Sequence, residues 1–176
     1  MKRSFLFFIM LLSVLPACFA VEQTDTLKFV YKLHGQTRRF QYVFVPERDG
    51  GVTLHWGIER NLKWWSGTYR MTPQAVEEGN SLSFMMPEDG NHIKLSNDET
   101  FAMISRKAYN SLKDTGKFIY DGVEYKLLDR DSNCNLGNLL HAIDAEGGEV
   151  WILDCKQCPL IWEMRNNPLE INWKVR

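Results

Sequence analysis

The sequence predicts a mainly β fold: a curved antiparallel meander sheet or partly closed barrel with one short α-helix at about residues 105–115. Three observations lead there. Apolar residues recur at every second position in run after run. Short turns separate these runs and force antiparallel neighbours. Only two brief stretches carry helical signals, too short to cover a sheet.

The elements follow in chain order. Leu27, Phe29, Tyr31 and Leu33 share one face while Lys28 and Lys32 take the other, the period of a half-buried strand. Phe40, Tyr42 and Phe44 alternate next, then Val52, Leu54 and Trp56 after Gly50-Gly51. Trp64 and Trp65 are adjacent in the run Lys63–Met71, so a strand must point them to opposite faces. Thr72 with Pro73 starts a short helical turn, and Leu82, Phe84 and Met86 alternate after Gly79-Asn80. Ser105 caps a helix from Arg106 to about Asp114, with Ala108, Tyr109 and Leu112 turned inward and Gly116 in the left-handed position past its end.

The second half repeats the strand pattern. Tyr120-Asp121-Gly122-Val123 is a two-residue type I′ hairpin that sets Phe118 opposite Tyr125 and Tyr120 opposite Val123. Hairpins then join Leu139–Ile143 to Glu149–Leu153, and Val150–Leu153 to Leu160–Met164 across Asp154–Pro159. Leu169, Ile171, Trp173 and Val175 alternate with Glu170, Asn172 and Lys174 in the last strand. The polar stretch Asp129 to Asn138 reads as a surface loop. The sum is roughly eight to eleven strands.

Ahead of this body stands a leader. Lys2 and Arg3 precede the apolar run Phe5 to Leu12, and Leu15-Pro16-Ala17-Cys18-Phe19-Ala20 closes it, which marks an export signal over residues 1–20 and a single β-rich domain over 21–176. Cleavage after Ala20 is the favoured reading. Leu15-Pro16-Ala17-Cys18 also resembles a lipobox, in which case the signal is 1–17 and Cys18 carries a lipid anchor. The expected location is periplasm, outer-membrane surface or outside the cell. The chain has a net charge of −1 over 176 residues, and losing Lys2 and Arg3 makes it more negative. Its Lys and Arg are scattered in sequence, so no nucleic-acid partner is expected.

Chemical motifs are sparse. Cys155-Lys156-Gln157-Cys158 has redox spacing but flanks a turn between two strands rather than opening a helix, which favours a local disulfide or plain thiols. Cys134 leaves an odd thiol, able to pair with either or to act as a resolving thiol. A Cys134, His141, Cys155, Cys158 zinc set has typical spacing in only one half, so no metal or other cofactor is predicted. Asp114-Thr115-Gly116 spells a protease triplet at a helix end, where Gly116 as cap explains it better. His34, His55, His92 and His141 form no cluster, and His55 is expected to face solvent. No hydrolase, metalloprotease or phosphate-cradling motif is present.

The aromatics carry the functional expectation. Six Trp, six Tyr and ten Phe are present. An open barrel would line an apolar cavity with Phe29, Tyr31, Phe40, Tyr42, Phe84, Phe118, Tyr125 and Trp173. Trp56, Trp64, Trp65, Phe29, Tyr31 and Tyr42 are the candidate ligand-binding residues.

The run Glu99–Tyr109, the hairpin Phe118–Tyr125 and the ending Pro159-Leu160-Ile161-Trp162 with Asn167–Ile171 resemble uncharacterised secreted proteins of gut-type anaerobic bacteria. In element order alone the chain is similar to half-barrel envelope carriers of the LolA type. Neither resemblance supplies a catalytic residue. The expectation is a non-enzymatic envelope protein binding an apolar or amphipathic ligand or an envelope protein, touching membrane only through a lipid at Cys18. The alternatives are a thiol-disulfide factor using Cys155 and Cys158, and a carbohydrate-binding module using exposed Trp.

Overall fold

The computed structural model describes residues 26–33, 36–130, 132–167 and 171–176. The leader with Cys18, His34, and residues 168–170 of the last apolar run lie outside the described residues. Alternation builds a four-stranded meander first: β1 (Leu27–Leu33), β2 (Gln36–Pro46), β3 (Val52–Arg60) and β4 (Lys63–Met71). Its inward residues, among them Phe29, Tyr42, Leu54, Ile58 and Met71, are almost wholly buried. The β3–β4 turn places Asn61 and Leu62 at positive φ, the geometry that a two-residue hairpin demands.

Mid-chain elements follow: α1 (Pro73–Glu78), β5 (Ser81–Leu82), β6 (His92–Lys94), β7 (Glu99–Thr100) and α2 (Arg106–Thr115). Both helices start as the sequence predicts. Thr72 and Ser105 each cap the backbone N–H three residues on, and Gly116 ends α2 at φ 73. The remaining strands are β8 (Lys117–Tyr120), β9 (Val123–Asp129), β10 (Asn133–Cys134), β11 (Gly137–Ile143), β12 (Glu149–Leu153), β13 (Ile161–Arg165) and β14 (Ile171–Val175). The Asp121-Gly122 hairpin has both residues at positive φ and the predicted register, Phe118 opposite Tyr125 and Tyr120 opposite Val123.

Four expectations need correction. The main sheet has 12 strands in the order β6-β4-β3-β2-β1-β14-β13-β12-β11-β9-β8, with β10 on β11, so it exceeds the predicted range. It is also mixed, because β6 runs parallel to β4; β5 and β7 form a separate parallel pair. Leu82, Phe84 and Met86 do not form one strand. Only Ser81 and Leu82 pair, and the Asp121 carboxylate takes the Ser81 hydroxyl (2.8 Å) and the Leu82 N–H (3.0 Å), steering the chain out of any ladder. Asp129 to Asn138 is not wholly loop, since Asn133–Cys134 folds back on Gly137–Asn138.

The larger departure is topological. The first and last strands, β1 and β14, pair side by side in the middle of the sheet, so two meanders are joined through the chain ends. Tyr31 faces Trp173 across this seam, ring centroids 5.3 Å apart. The free edges are β6 and β8, and the sheet is not closed.

The mid-chain insert bridges these edges. Tyr120 on β8 is its anchor: the buried phenol hydrogen-bonds Thr100 Oγ1 on β7 (2.7 Å) and accepts the Ser105 N–H at the start of α2 (3.1 Å). Phe101 reaches the other half, 4.9 Å from Tyr69 of β4. Asp154 fixes the far end of α2, accepting from Tyr109 Oη (2.5 Å) and from Lys113 Nζ (2.8 Å). One hydrophobic cluster results, drawing on both halves of the sheet and the insert.

Candidate apolar ligand site

The inward aromatics of β1–β4 and β14 meet the insert in a belt. Trp173 packs on Tyr31, Tyr31 on Phe40 (4.8 Å), Tyr42 on Phe101 (5.9 Å), Phe101 on Tyr69, and Tyr69 on Trp56 (5.8 Å). These rings enclose an apolar cavity of about 60 Å³. Residues Leu82 to Pro87 cross it as a strap, with Met85 and Met86 exposed and Leu82, Ser83 and Pro87 buried. Among the described residues, 84–87 make no backbone hydrogen bond; the strap is tied at its ends, by Ser83 N to Thr100 O (2.8 Å) and Gly90 N to Ser66 O (2.8 Å).

The polar atoms of the aromatic residues that line the cavity fall into two sets. Tyr42 Oη donates to Tyr31 Oη (3.1 Å), so that pair is satisfied within the core. Trp56 Nε1 and Tyr69 Oη are buried and have no hydrogen-bond partner. An unmet buried donor costs about 1–3 kcal/mol, so two on one cavity wall call for an explanation. Burial pushes Tyr69 up to about 12 and raises Tyr31 and Tyr42 further, so all three stay neutral at physiological pH. No residue described on the wall is charged at neutral pH.

The structure brings together Trp56, Tyr31 and Tyr42 of the predicted ligand set, with Phe40, Phe84 and Trp173. It separates the others. Phe29 is fully buried behind Tyr42, 4.5 Å between centroids, and does not reach the cavity. Phe118 and Tyr125 stack on each other (5.0 Å) beside a smaller void under β8 and β9. Trp64 lies on the outer face, 53 % exposed, whereas Trp65 is half-buried beneath the Arg60 guanidinium at 4.9 Å. Tyr69, Phe101, Met85 and Met86 were missed. Tyr69 was legible as an inward residue of the run Lys63–Met71, but the strap depends on long-range anchoring.

The cysteines do not assemble a reactive centre. Cys155 is buried and Cys134 half-buried, and both are free thiols, so no bridge joins Cys134 to Cys155. Burial pushes the Cys134 thiol up, against the N–H groups of Leu136 and Gly137, the wrong direction for a resolving thiol. Cys158 is half-buried at the turn, its N–H donating to Cys155 O (3.2 Å). His141 is engaged elsewhere: Nδ1 meets Asp129 (3.0 Å), Nε2 meets Glu149 (2.8 Å), and the ring stacks on Trp151 (4.1 Å). Among the described residues no group of three ligands is placed to hold a metal ion. His55 is exposed, and Asp114-Thr115-Gly116 is the end of α2. Comparison with protein-family models, curated proteins and solved structures finds no match to this chain.

Proposed function

We propose that the protein is a non-enzymatic binding protein of the cell envelope, whose cavity takes the apolar end of an amphipathic ligand. The observation that carries this reading is the pair of unpartnered donors, Trp56 Nε1 and Tyr69 Oη, on an otherwise apolar aromatic wall. A ligand atom that accepts hydrogen bonds would satisfy both, while its hydrocarbon part replaces the dispersion contacts a void lacks. At about 60 Å³ the closed cavity holds only a short apolar segment. A longer chain enters when the strap lifts, which breaks no backbone hydrogen bond within 84–87. The buried Cys155 thiol and the raised Cys134 pKa weigh against the redox alternative.

The test is titration with dodecanoate, dodecanol and dodecane, read by tryptophan fluorescence. Saturable binding of the two acceptor-bearing probes is expected, weakened roughly tenfold by Trp56→Phe or Tyr69→Phe. Absence of saturable binding, or affinities unchanged in the double variant, overturns the proposal. The exposed Trp64 supports a separate second reading, stacking on a sugar ring, which a silent glycan array together with unchanged Trp64 fluorescence would refute.

A further inference from the structure

Lys and Arg that are scattered in sequence are gathered by the β1–β14 seam. Lys28 and Lys32 alternate with the buried residues of β1, and Arg39 of β2 stands across from Val30 on the same face. Lys174 of β14 is also across from Val30, and Arg176 follows it, its N–H bonded to Lys28 O (2.9 Å). Five cations from opposite ends of the chain thus share the outer face of three neighbouring strands, in a protein whose net charge is −1. Arg165 of β13 extends the patch.

Three acids border the patch: Glu149, across from Arg165 and bonded to His141 Nε2 (2.8 Å), and Glu163 and Glu59. Glu163, itself buried, binds Arg165 Nε (2.6 Å) and Lys174 Nζ (2.9 Å). Glu59 lies one strand beyond Arg39, across from the exposed Trp64. Lys28, Lys32, Arg39 and Arg176 form no ion pair among the described residues. Between the cations runs a groove of about 350 Å³, lined by Lys32, Arg165, Lys174 and Arg176 with Asn172, and by the Glu163 carboxylate that Arg165 and Lys174 neutralise. Lys32 and Arg176, without an ion pair among the described residues, together with the Asn172 amide, suit phosphate oxygens.

We propose that this face docks on an anionic membrane surface, with the groove seating a phospholipid headgroup. Charge complementarity carries the choice of partner, and chain connectivity narrows it. Leu27, the first residue of β1, is nine positions after Cys18. A lipid at that cysteine would hold the seam within roughly 30 Å of a bilayer. A chain cut after Ala20 would rely on the cations alone, each strengthening attachment to an anionic surface by about fivefold.

The experiment uses the chain from Val21 onward, the product of cleavage after Ala20, which has no Cys18 to acylate. Vesicles of phosphatidylethanolamine with one-third phosphatidylglycerol should retain it in flotation, phosphatidylcholine vesicles should not, and salt near 0.5 M should release it. Joint Lys28→Gln, Lys32→Gln and Arg176→Gln should weaken binding roughly 100-fold with the unfolding midpoint unchanged. The control, Lys63→Gln, Lys107→Gln and Lys156→Gln, should have little effect. Equal binding to neutral vesicles, or equal losses in both triple variants, would overturn the proposal. Saturable binding of millimolar inorganic phosphate without any vesicle retention would instead make the groove a free-anion site and overturn the proposal. Tighter, seam-dependent binding to duplex DNA would reassign the face to nucleic acid.

Discussion

Replacing Tyr120 by Phe removes one oxygen and tests how the insert is fastened across the open sheet. That oxygen accepts the Ser105 N–H at 3.1 Å and shares a hydrogen bond with Thr100 Oγ1 at 2.7 Å. Ser105 and Thr100 are both essentially inaccessible, so water cannot stand in without repacking. The stranded Ser105 N–H costs about 1–3 kcal/mol. Thr100 loses less, because its hydroxyl still donates to Met103 O (2.5 Å). The total is roughly 2–3 kcal/mol, which for a domain of this size lowers the melting midpoint by about 5–10 °C. Urea unfolding followed by tryptophan fluorescence measures it, with Tyr125→Phe as the control. Tyr125 packs on Phe118 but makes no side-chain hydrogen bond among the described residues, so its loss should stay within about 0.5 kcal/mol. Equal effects from the two substitutions would refute the anchoring role of Tyr120.

Three further outcomes are expected. Burial raises the pKa of Tyr31, Tyr42, Tyr69, Tyr120 and Tyr125 above the ordinary tyrosine value of 10.0, three of them to about 12. The stability they contribute is therefore intact below pH 10 and lost as pH rises through 12; absorbance at 295 nm should show late tyrosine ionisation coincident with unfolding, and ordinary titration near 10 would contradict it. Burial opposes ionisation of Asp154, but its bonds to Lys113 and Tyr109 win and hold its pKa below the ordinary carboxylate value of 3.8. Its contribution is present above about pH 4 and lost as pH falls through the lowered value, so Asp154→Asn should lower stability at pH 7 by about 1 kcal/mol and flatten the acid limb of the stability curve. Gly67→Ala should destabilise by about 1–3 kcal/mol in a thermal melt, because its Cβ would collide with Asn91 O and lie 2.5 Å from the Trp56 ring; a neutral result would show that β4 and the strap end can separate.

Local chemistry was legible in the sequence wherever neighbours decide it. Thr72, Ser105, Gly116 and Asp121-Gly122 each act within four residues of chain, and each does what its type predicts. Alternation located the inward aromatics of β1 to β3 because it reports burial directly. It failed after Gly79: Leu82, Phe84 and Met86 alternate, yet the distant Asp121 carboxylate, not periodicity, decides the path there. The same limit hid the cavity's outer wall. Strand order was out of reach for a related reason, since nothing near Tyr31 announces a partner at Trp173. Charge showed the converse, as residues far apart in sequence became one basic face only once the ends paired.

The central position of β1 and β14 also sets an order of events. While the chain is being synthesised, β1 and β13 are both bare edges until β14, which joins them and follows every other described strand, has been made. Neither half can complete its ladder before Ile171–Val175 arrives, and the contacts that then form span nearly the whole chain. Folding should therefore be slow and post-translational, with an interval in which two apolar half-sheets are open to each other and to other chains. A nascent protein stalled before residue 171 would be a substrate for chaperones or proteases rather than a shorter version of the same fold.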